Sequence, residues 1–263
     1  MDKKTHTILI IGLLILTLGC TQEQLTDQQI IEKSDTAMNN LQSYAFDMNM
    51  EMKINGNISP LMGATQMRIY MNSTTKVDIT NKKSHTKGSM SLMGMSMPME
   101  AYTIDEIQYS KAPMAGWTKE TIKDVWNQTN MVVDASKIQE VGVERKQDET
   151  IDNVDCYVMY FNPEPEDVLD LMGVTQNNMG GLANQQEFNE AIKNVEIWEW
   201  ISKKDYTVKK MHMIMEIESE GTGATMDSSF KIYDLNQQFD ITLPDAAQDA
   251  VDVTATDDMG LLT

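Results

Sequence analysis

The sequence predicts an α+β fold in which one helix precedes an antiparallel sheet. Two patterns lead to this prediction. Apolar residues recur at three- and four-residue spacing between residues 28 and 42, and many later segments alternate apolar and polar residues. Alternation with a period of two is typical of antiparallel strands with one dry and one solvated face. Because no fixed-period repeat and no long linker interrupts the body, a single domain is expected.

Residues 1–19 have the composition of a lipoprotein signal peptide. Two lysines precede an apolar run from Ile8 to Leu18, and a glycine and Cys20 follow it. The run is shorter than the roughly 20 residues that span a bilayer, and a small residue before a cysteine is typical of lipoprotein processing. We therefore expect cleavage before Cys20, lipidation of Cys20 and a tether over residues 20–27. An uncleaved anchor helix is the alternative.

The predicted helix opens the body. Thr26 or Asp27 can cap its first turn, because a short polar side chain at this position accepts a hydrogen bond from a free backbone N–H. The stripe that must pack on the rest of the domain consists of Ile30, Ile31, Ser34, Ala37, Met38 and Leu41. The strand-like segments start after this stripe.

Methionine is concentrated on single faces of those segments. The chain has 23 methionines against five phenylalanines, so its dry side is predicted to consist of long, unbranched and adaptable side chains. A later aromatic segment, VEIWEWIS, is followed by a predicted hairpin tip at Lys203–Asp205. The candidate lining residues are Met48, Met50, Met52, Met67, Met71, Met93, Met95, Met97, Met99, Met211, Met213, Met215, Trp198 and Trp200.

Three interpretations of the methionine faces stay open. The first is a methionine-rich core, because apolar stripes are usually buried. The second is an apolar cavity for a lipid-like ligand, because a repackable wall suits hydrophobic guests. The third is a Cu(I) or Ag(I) site, because thioethers are soft ligands. Alternate positions along one strand are about 7 Å apart, so a single ion would require a turn, which Gly94 or Pro98 could supply.

The sequence gives little support to catalysis or to a cofactor. The signatures HExxH, GxxxxGK[ST] and GxSxG are absent. After Cys20 the only histidines are His85 and His212, which we expect to be satisfied surface or strand residues. Cys156 lies in the strand-like run DCYVMYF and is expected to be a buried, inert thiol. The net charge of −19 disfavours nucleic acid and anionic headgroups as partners.

The C-terminal half is expected to end in loops and a closing strand pair. Residues 173–185 resemble a loop, with Gly180 and Gly181 as a possible hinge. The segments SSFKIYDLN and FDITLP are predicted to pair and close the sheet. From Asp245 the chain is expected to fray, and residues 248–263 form the acidic C-terminal tail.

These segments resemble a known family in order and kind. The turn YSKAPMAGWTKE, the block ETIDNVDCYVMYFNPEPEDVLDLM, the hairpin IWEWISKKDYTVKKMHM and the end YDLNQQFDITLPDAA are similar to LolA-like and LppX/LprG-like cell-envelope lipoproteins. The resemblance spans residues 28–247. None of its blocks is a catalytic signature.

The resemblance implies a strongly curved antiparallel sheet, an incomplete barrel, with helices packed on its concave side. In carrier members that side holds acyl chains, so the resemblance implies a lipid or other apolar ligand. The lipid anchor would place the chain on the extracytoplasmic face of the cell membrane. The segments 28–42 and 166–194 would supply the lid. The alternative is a non-catalytic structural lipoprotein with a filled core that docks an envelope protein partner.

Overall fold

The computed structural model describes residues 25–59, 64–112, 116–122, 125–128, 142–168, 189–219 and 221–253. The predicted signal peptide, Cys20 and the loop 173–185 lie outside these residues. Within them no helix combines the length and the apolar character that crossing a membrane requires.

Helix α1 spans Asp27–Asn39 and begins with a capping box. The Thr26 hydroxyl accepts a hydrogen bond from the Gln29 backbone N–H (3.2 Å), and the Gln29 side chain accepts one from the Thr26 N–H (3.0 Å). These two bonds satisfy backbone donors that have no partner within the helix. The predicted cap at Thr26 is therefore confirmed, and the helix ends three residues before residue 42.

The rest of the described chain is dominated by one sheet. Two one-turn 3₁₀ helices, Val125–Gln128 and Pro165–Asp167, and helix α2, Asp245–Gln248, accompany it. The strands are β1 Ser43–Ser59, β2 Ala64–Asp78, β3 Lys83–Leu92, β4 Met95–Ile104, β5 Ile107–Ala112, β6 Gly116–Thr121, β7 Glu144–Arg145, β8 Glu149–Ile151, β9 Val154–Phe161, β10 Ile192–Ser202, β11 Val208–Ser219, β12 Thr222–Tyr233 and β13 Val251–Asp252.

The strand order is β13-β6-β5-β4-β3-β2-β1-β12-β11-β10-β9-β7, with β8 also paired to β9. All neighbours are antiparallel except β13, which runs parallel to β6. In the described chain the first and last strands of this order do not pair with each other, so the sheet is open and curved, as an incomplete barrel is. The predicted antiparallel sheet is confirmed.

The predicted closing pair of SSFKIYDLN and FDITLP is wrong, although the first segment is a strand as predicted. The segment SSFKIYDLN lies in β12, which is central because it pairs with both β1 and β11. The segment FDITLP is not a strand. Its apolar side chains pack instead against Tyr102 and Trp117, so its alternation reflects one-sided burial without strand pairing.

The expected fraying from Asp245 is also wrong for the part that is described. Helix α2 buries Ala247, and Ala250 is buried in the same small cluster as Trp117. Strand β13 then pairs with β6 through Val251 and Thr118. The chain therefore remains attached to the sheet to residue 253.

The main core lies where α1 packs on one face of the sheet. We call this cluster the helix-covered core. Its buried members are Ile30, Ile31, Met38, Leu41, Tyr44, Val77, Met159, Phe161, Val168, Ile192, Val195, Ile197, Ile201, Val208, Met213, Met215 and Ile232. Three members belong to α1, so the apolar stripe predicted for that helix packs on the sheet as expected.

Candidate functional site

Strand register gathers methionines from separate strands on one face of the sheet. Residues directly opposite each other in neighbouring strands point to the same side. The register therefore places on one face, which we call the methionine face, Met48, Met50, Met52, Met67, Met71, Met90, Met95, Met97, Met99 and Met226. The face continues into the helix-covered core through Met211, Met213 and Met215, which oppose β12.

No charged residue occupies a methionine-face position in β1, β2, β3, β4 or β12. The remaining positions on this face carry apolar or small hydroxyl side chains, for example Ile54, Ile69 and Leu92. The opposite face of the same strands carries residues such as Asp47, Glu51 and Lys53. The sheet is therefore strongly amphipathic, because the charged side chains of these strands all lie on one of its two faces.

The methionine face is only partly buried. All its methionines are half-buried except Met95, which is exposed. Met213 and Met215 lie on the same side but are 5% and 3% exposed, in contact with the helix-covered core. These two predicted lining residues therefore contribute to the core, whereas Met211 is half-buried beside it.

Gly88 marks a close approach of β2 and β3 on the methionine face. Its position opposes Ser73 on β2 and points to that face. A Cβ built there would lie 2.7 Å from the Ser73 Cβ and 2.1 Å from the Asn72 carbonyl oxygen. Opposed Cβ atoms are normally about 4.5–5.5 Å apart. Strands β2 and β3 are thus unusually close on this side, and only glycine fits at position 88.

The prediction that Trp198 and Trp200 join the methionines is wrong. Trp198 opposes His212, and Trp200 opposes Lys210, so both rings lie on the opposite face from Met211 and Met213. They pack in a separate cluster with Cys156 and Val158. The segment VEIWEWIS is apolar on both sides, so its alternation gave no basis for choosing a face.

Met93 also does not belong to the face. It occupies the turn between β3 and β4 and is 57% exposed. Its φ of 52° and that of Gly94, 82°, are the left-handed values that a tight two-residue hairpin turn requires. The run that contains Met93 is therefore two strands around a turn, which is why Met90 was missed as a member of the face.

Glu199 is a second residue that sequence reasoning missed. This carboxylate is 0% exposed and lies on the core side of β10, where it opposes both Met159 and Met211. A glutamate among alternating tryptophans resembles a solvated strand position. Only the register shows that it lies on the apolar side.

The polar face holds two hollows among the described residues. One, of about 310 Å³, is lined by residues that include Asn49, Glu51, Tyr70 and Asp227. The other, of about 250 Å³, includes Asp47, Thr74 and Lys87. Met50 and Met71 also line the first hollow and Met48 lines the second, but most of the other lining residues are polar. Both hollows are therefore less suited to an apolar ligand than the methionine face.

Both histidines have partners on the polar face, as predicted. His85 Nε2 lies 3.2 Å from Glu100 Oε1, and its ring stacks on Tyr102 at 4.2 Å between centroids. His212 Nε2 lies 2.8 Å from Asp227 Oδ1. No group of His, Cys, Asp or Glu suited to a metal ion occurs in the part of the chain that the structure covers.

Cys156 is buried, as expected from its strand. It is 0% exposed, and its thiol donates a hydrogen bond to the Val154 carbonyl (3.4 Å). Burial raises the pKa of the Cys156 thiol above its ordinary value. Because the thiolate is the reactive form, this environment disfavours nucleophilic chemistry.

The sequence comparison assigns the chain to a family. The family of unknown function DUF6612 matches residues 26–252, which includes α1 and every strand of the sheet. The chain belongs to DUF6612. No curated protein matches this DUF6612 chain.

Among solved structures, the DUF6612 chain is similar to the lipoprotein LppX of Mycobacterium tuberculosis. The two are 12% identical, with a TM-score of 0.47, over 82% of this chain and 100% of that one. LprF of Mycobacterium bovis is 12% identical, with a TM-score of 0.44, over 82% and 96%. A LolA superfamily protein of Nitrosomonas europaea is 11% identical, with a TM-score of 0.26, over 84% and 96%.

The resemblance to LolA-like and LppX-like proteins that the sequence shows is thus found again among solved structures. All three TM-scores are below 0.5.

Proposed function

We propose that this protein is a membrane-tethered, extracytoplasmic lipoprotein that binds an apolar, lipid-like ligand against the methionine face. The observation that supports this most is the absence of charge from that face in β1 to β4 and β12, combined with the half-burial of its methionines. When an apolar partner covers side chains that were partly exposed, apolar surface is removed from water, and the complex is stabilised.

An apolar groove would offset the free energy that an acyl chain loses when it leaves the membrane. Burying one acyl chain of sixteen carbons would contribute on the order of 10 kcal/mol, at about 0.8 kcal/mol per methylene. Methionine side chains have three rotatable bonds and repack around guests of different shape. A binding site of this kind needs no polar motif, which agrees with the lack of a catalytic signature in the sequence.

Curvature would give the ligand its enclosure. The close approach of β2 and β3 at Gly88 supports a concave methionine face. In this proposal α1 lies on the concave side and closes one end of the groove, where Ile30, Ile31 and Met38 reach the sheet. The groove would extend from there toward the β3–β4 turn at Met93 and Gly94.

The tether is the second part of the proposal. Cleavage after residue 19 and lipidation of Cys20 would hold the body, residues 28–247, beside the membrane from which the ligand is taken. Carriage, transfer and sensing would all use the same reversible binding. Incorporation of labelled fatty acid into the wild-type chain, and its loss in Cys20→Ser, would test this part separately.

The binding itself is tested with a pair of neighbouring substitutions. Met71→Glu places a carboxylate on the methionine face, whereas Asn72→Glu places the same group one residue later on the polar face. The full chain is purified from its native membrane and its extracted lipid is quantified by mass spectrometry. We expect about one lipid per wild-type or Asn72→Glu chain, and at least a tenfold loss in Met71→Glu.

A wild-type chain without stoichiometric lipid would contradict the proposal, as would equal lipid content in the two variants. The thermal unfolding temperatures of both variants are compared, so that a loss of binding is not mistaken for a loss of folding. The first of these outcomes would favour the second candidate, a structural lipoprotein that docks an envelope partner. That candidate has one supporting observation, because Met213 and Met215 show that the protein's own side chains already fill part of this side.

A further inference from the structure

One lateral row of the methionine face consists of methionine in every strand from β1 to β4. Met50 opposes Met71, Met71 opposes Met90, and Met90 opposes Met97. All four side chains are half-buried and so remain accessible to a small solute. The row crosses the strands and does not follow any of them, so it is invisible in the linear sequence.

The neighbouring rows are interrupted. In the row of Met48 and Met99, the two intervening positions are Ser73 and Gly88. In the row of Met52 and Met95, they are Ile69 and Leu92. Within β1 to β4, adjacent thioethers across successive strands therefore occur in the first row and not in these two. The Met52 row has adjacent methionines only toward β12 and β11, at Met226 and the buried Met215.

The distance between neighbouring strands suits a metal site better than the distance between alternate residues of one strand. Methionines at alternate positions of one strand are about 7 Å apart, but adjacent strands are only about 4.8 Å apart. Two sulfurs bound to one ion at about 2.3 Å each, as in a zinc–sulfur bond, lie about 4 Å from each other. The three rotatable bonds of methionine readily accommodate that small convergence.

We propose that adjacent members of the row Met50–Met71–Met90–Met97, centred on Met71 and Met90, bind one soft monovalent cation, Cu(I) or Ag(I), through their thioether sulfurs. Thioethers are neutral, soft ligands that select Cu(I) over Mg²⁺, Ca²⁺ and Mn²⁺, which prefer oxygen. No carboxylate shares this face in β1 to β4, so the charged oxygen ligands that hard cations prefer are lacking beside the row. The net charge of −19 raises the local cation concentration.

Metal binding needs the thioether sulfur, whereas lipid binding needs only an apolar surface. A methionine-to-leucine substitution therefore distinguishes the two proposals. Met→Leu conserves volume and apolar character but removes the sulfur. A leucine variant should therefore keep an acyl-binding surface and lose the metal ligand. Glutamate, by contrast, disrupts the apolar surface, so the two proposals fail in different experiments.

The test uses the full chain in detergent with Cys20→Ser and Cys156→Ala, which removes both thiols of the sequence. Ag(I) is added as nitrate in chloride-free buffer, and Cu(I) is added anaerobically against a chromophoric competitor. Native mass spectrometry counts the bound ions. We expect one ion per chain and at least a tenfold lower affinity when Met71→Leu and Met90→Leu are combined.

The matched control is Met48→Leu combined with Met99→Leu, two half-buried methionines of the same face that are not lateral neighbours. Its affinity should stay within about threefold of the parent, and thermal unfolding should be similar for both double variants. Absence of stoichiometric binding would overturn the proposal. So would an equal effect of the two double variants, because the row would then have no special role.

Discussion

The helix-covered core and the methionine face occupy the same side of the same sheet but differ in burial. Met213 lies in one lateral row with Met50 and Met71, separated from Met50 only by Ser228. Yet Met213 is 5% exposed, whereas Met50 and Met71 are half-buried. One apolar surface thus has two environments: the covered part stabilises the fold, and the partly open part is where we propose that the ligand binds.

The largest expected effect is in the covered part. Met213→Ala removes a buried side chain and leaves a cavity, so the free energy of unfolding should fall by about 2–5 kcal/mol. Denaturant titration followed by circular dichroism measures this change. A loss below about 1 kcal/mol would show that the covered part packs loosely and would remove the contrast between the two regions.

The pH dependence of stability tests the burial of Tyr44, a member of the helix-covered core. Burial raises the pKa of Tyr44 to about 12 from its ordinary 10.0. The folded chain therefore holds the phenolic proton to higher pH than the unfolded chain, and the free energy of unfolding should fall between pH 10 and 12, by up to about 3 kcal/mol. Chemical unfolding of the wild type and of Tyr44→Phe across this window measures the difference. Identical alkaline slopes for the two proteins would argue against burial of Tyr44.

The smallest effect is expected on the methionine face. Met71→Ala removes a half-buried side chain, so the free energy of unfolding should fall by about 1 kcal/mol or less. Lipid content should nevertheless decrease, because the wall loses contact area. The same denaturant titration compares this variant with Met213→Ala. A stability loss as large as that of Met213→Ala would mean that the face is a core and would favour the structural candidate.

Local patterns in the sequence predicted the local structure well. The capped helix, the alternating strands and the one-sided methionines of β1, β2 and β11 all follow from periodicity. The segment at residues 239–244 shows the limit of this reasoning, because its alternation arises from packing on Tyr102 and Trp117 without strand pairing. Tertiary packing and strand pairing produce the same pattern in a short segment.

Relations between strands could not be predicted, because register is set by long-range pairing. Trp198 was placed on the wrong face for this reason, and Glu199 was not recognised as buried. The lateral row of Met50, Met71, Met90 and Met97 likewise depends on three separate strand pairs. The sequence led to an estimate of sulfur spacing along one strand, whereas the shorter spacing runs across strands.

The most direct measurement is photolabelling of the full chain with an acyl chain that carries a diazirine, followed by peptide mass spectrometry. The account predicts labels on methionine-face residues of β1 to β4, above all Met50 and Met71, and their loss when natural lipid is added in excess. Labels concentrated on the polar-face neighbours Asn49, Tyr70 and Asn72, or labels that natural lipid does not reduce, would contradict it.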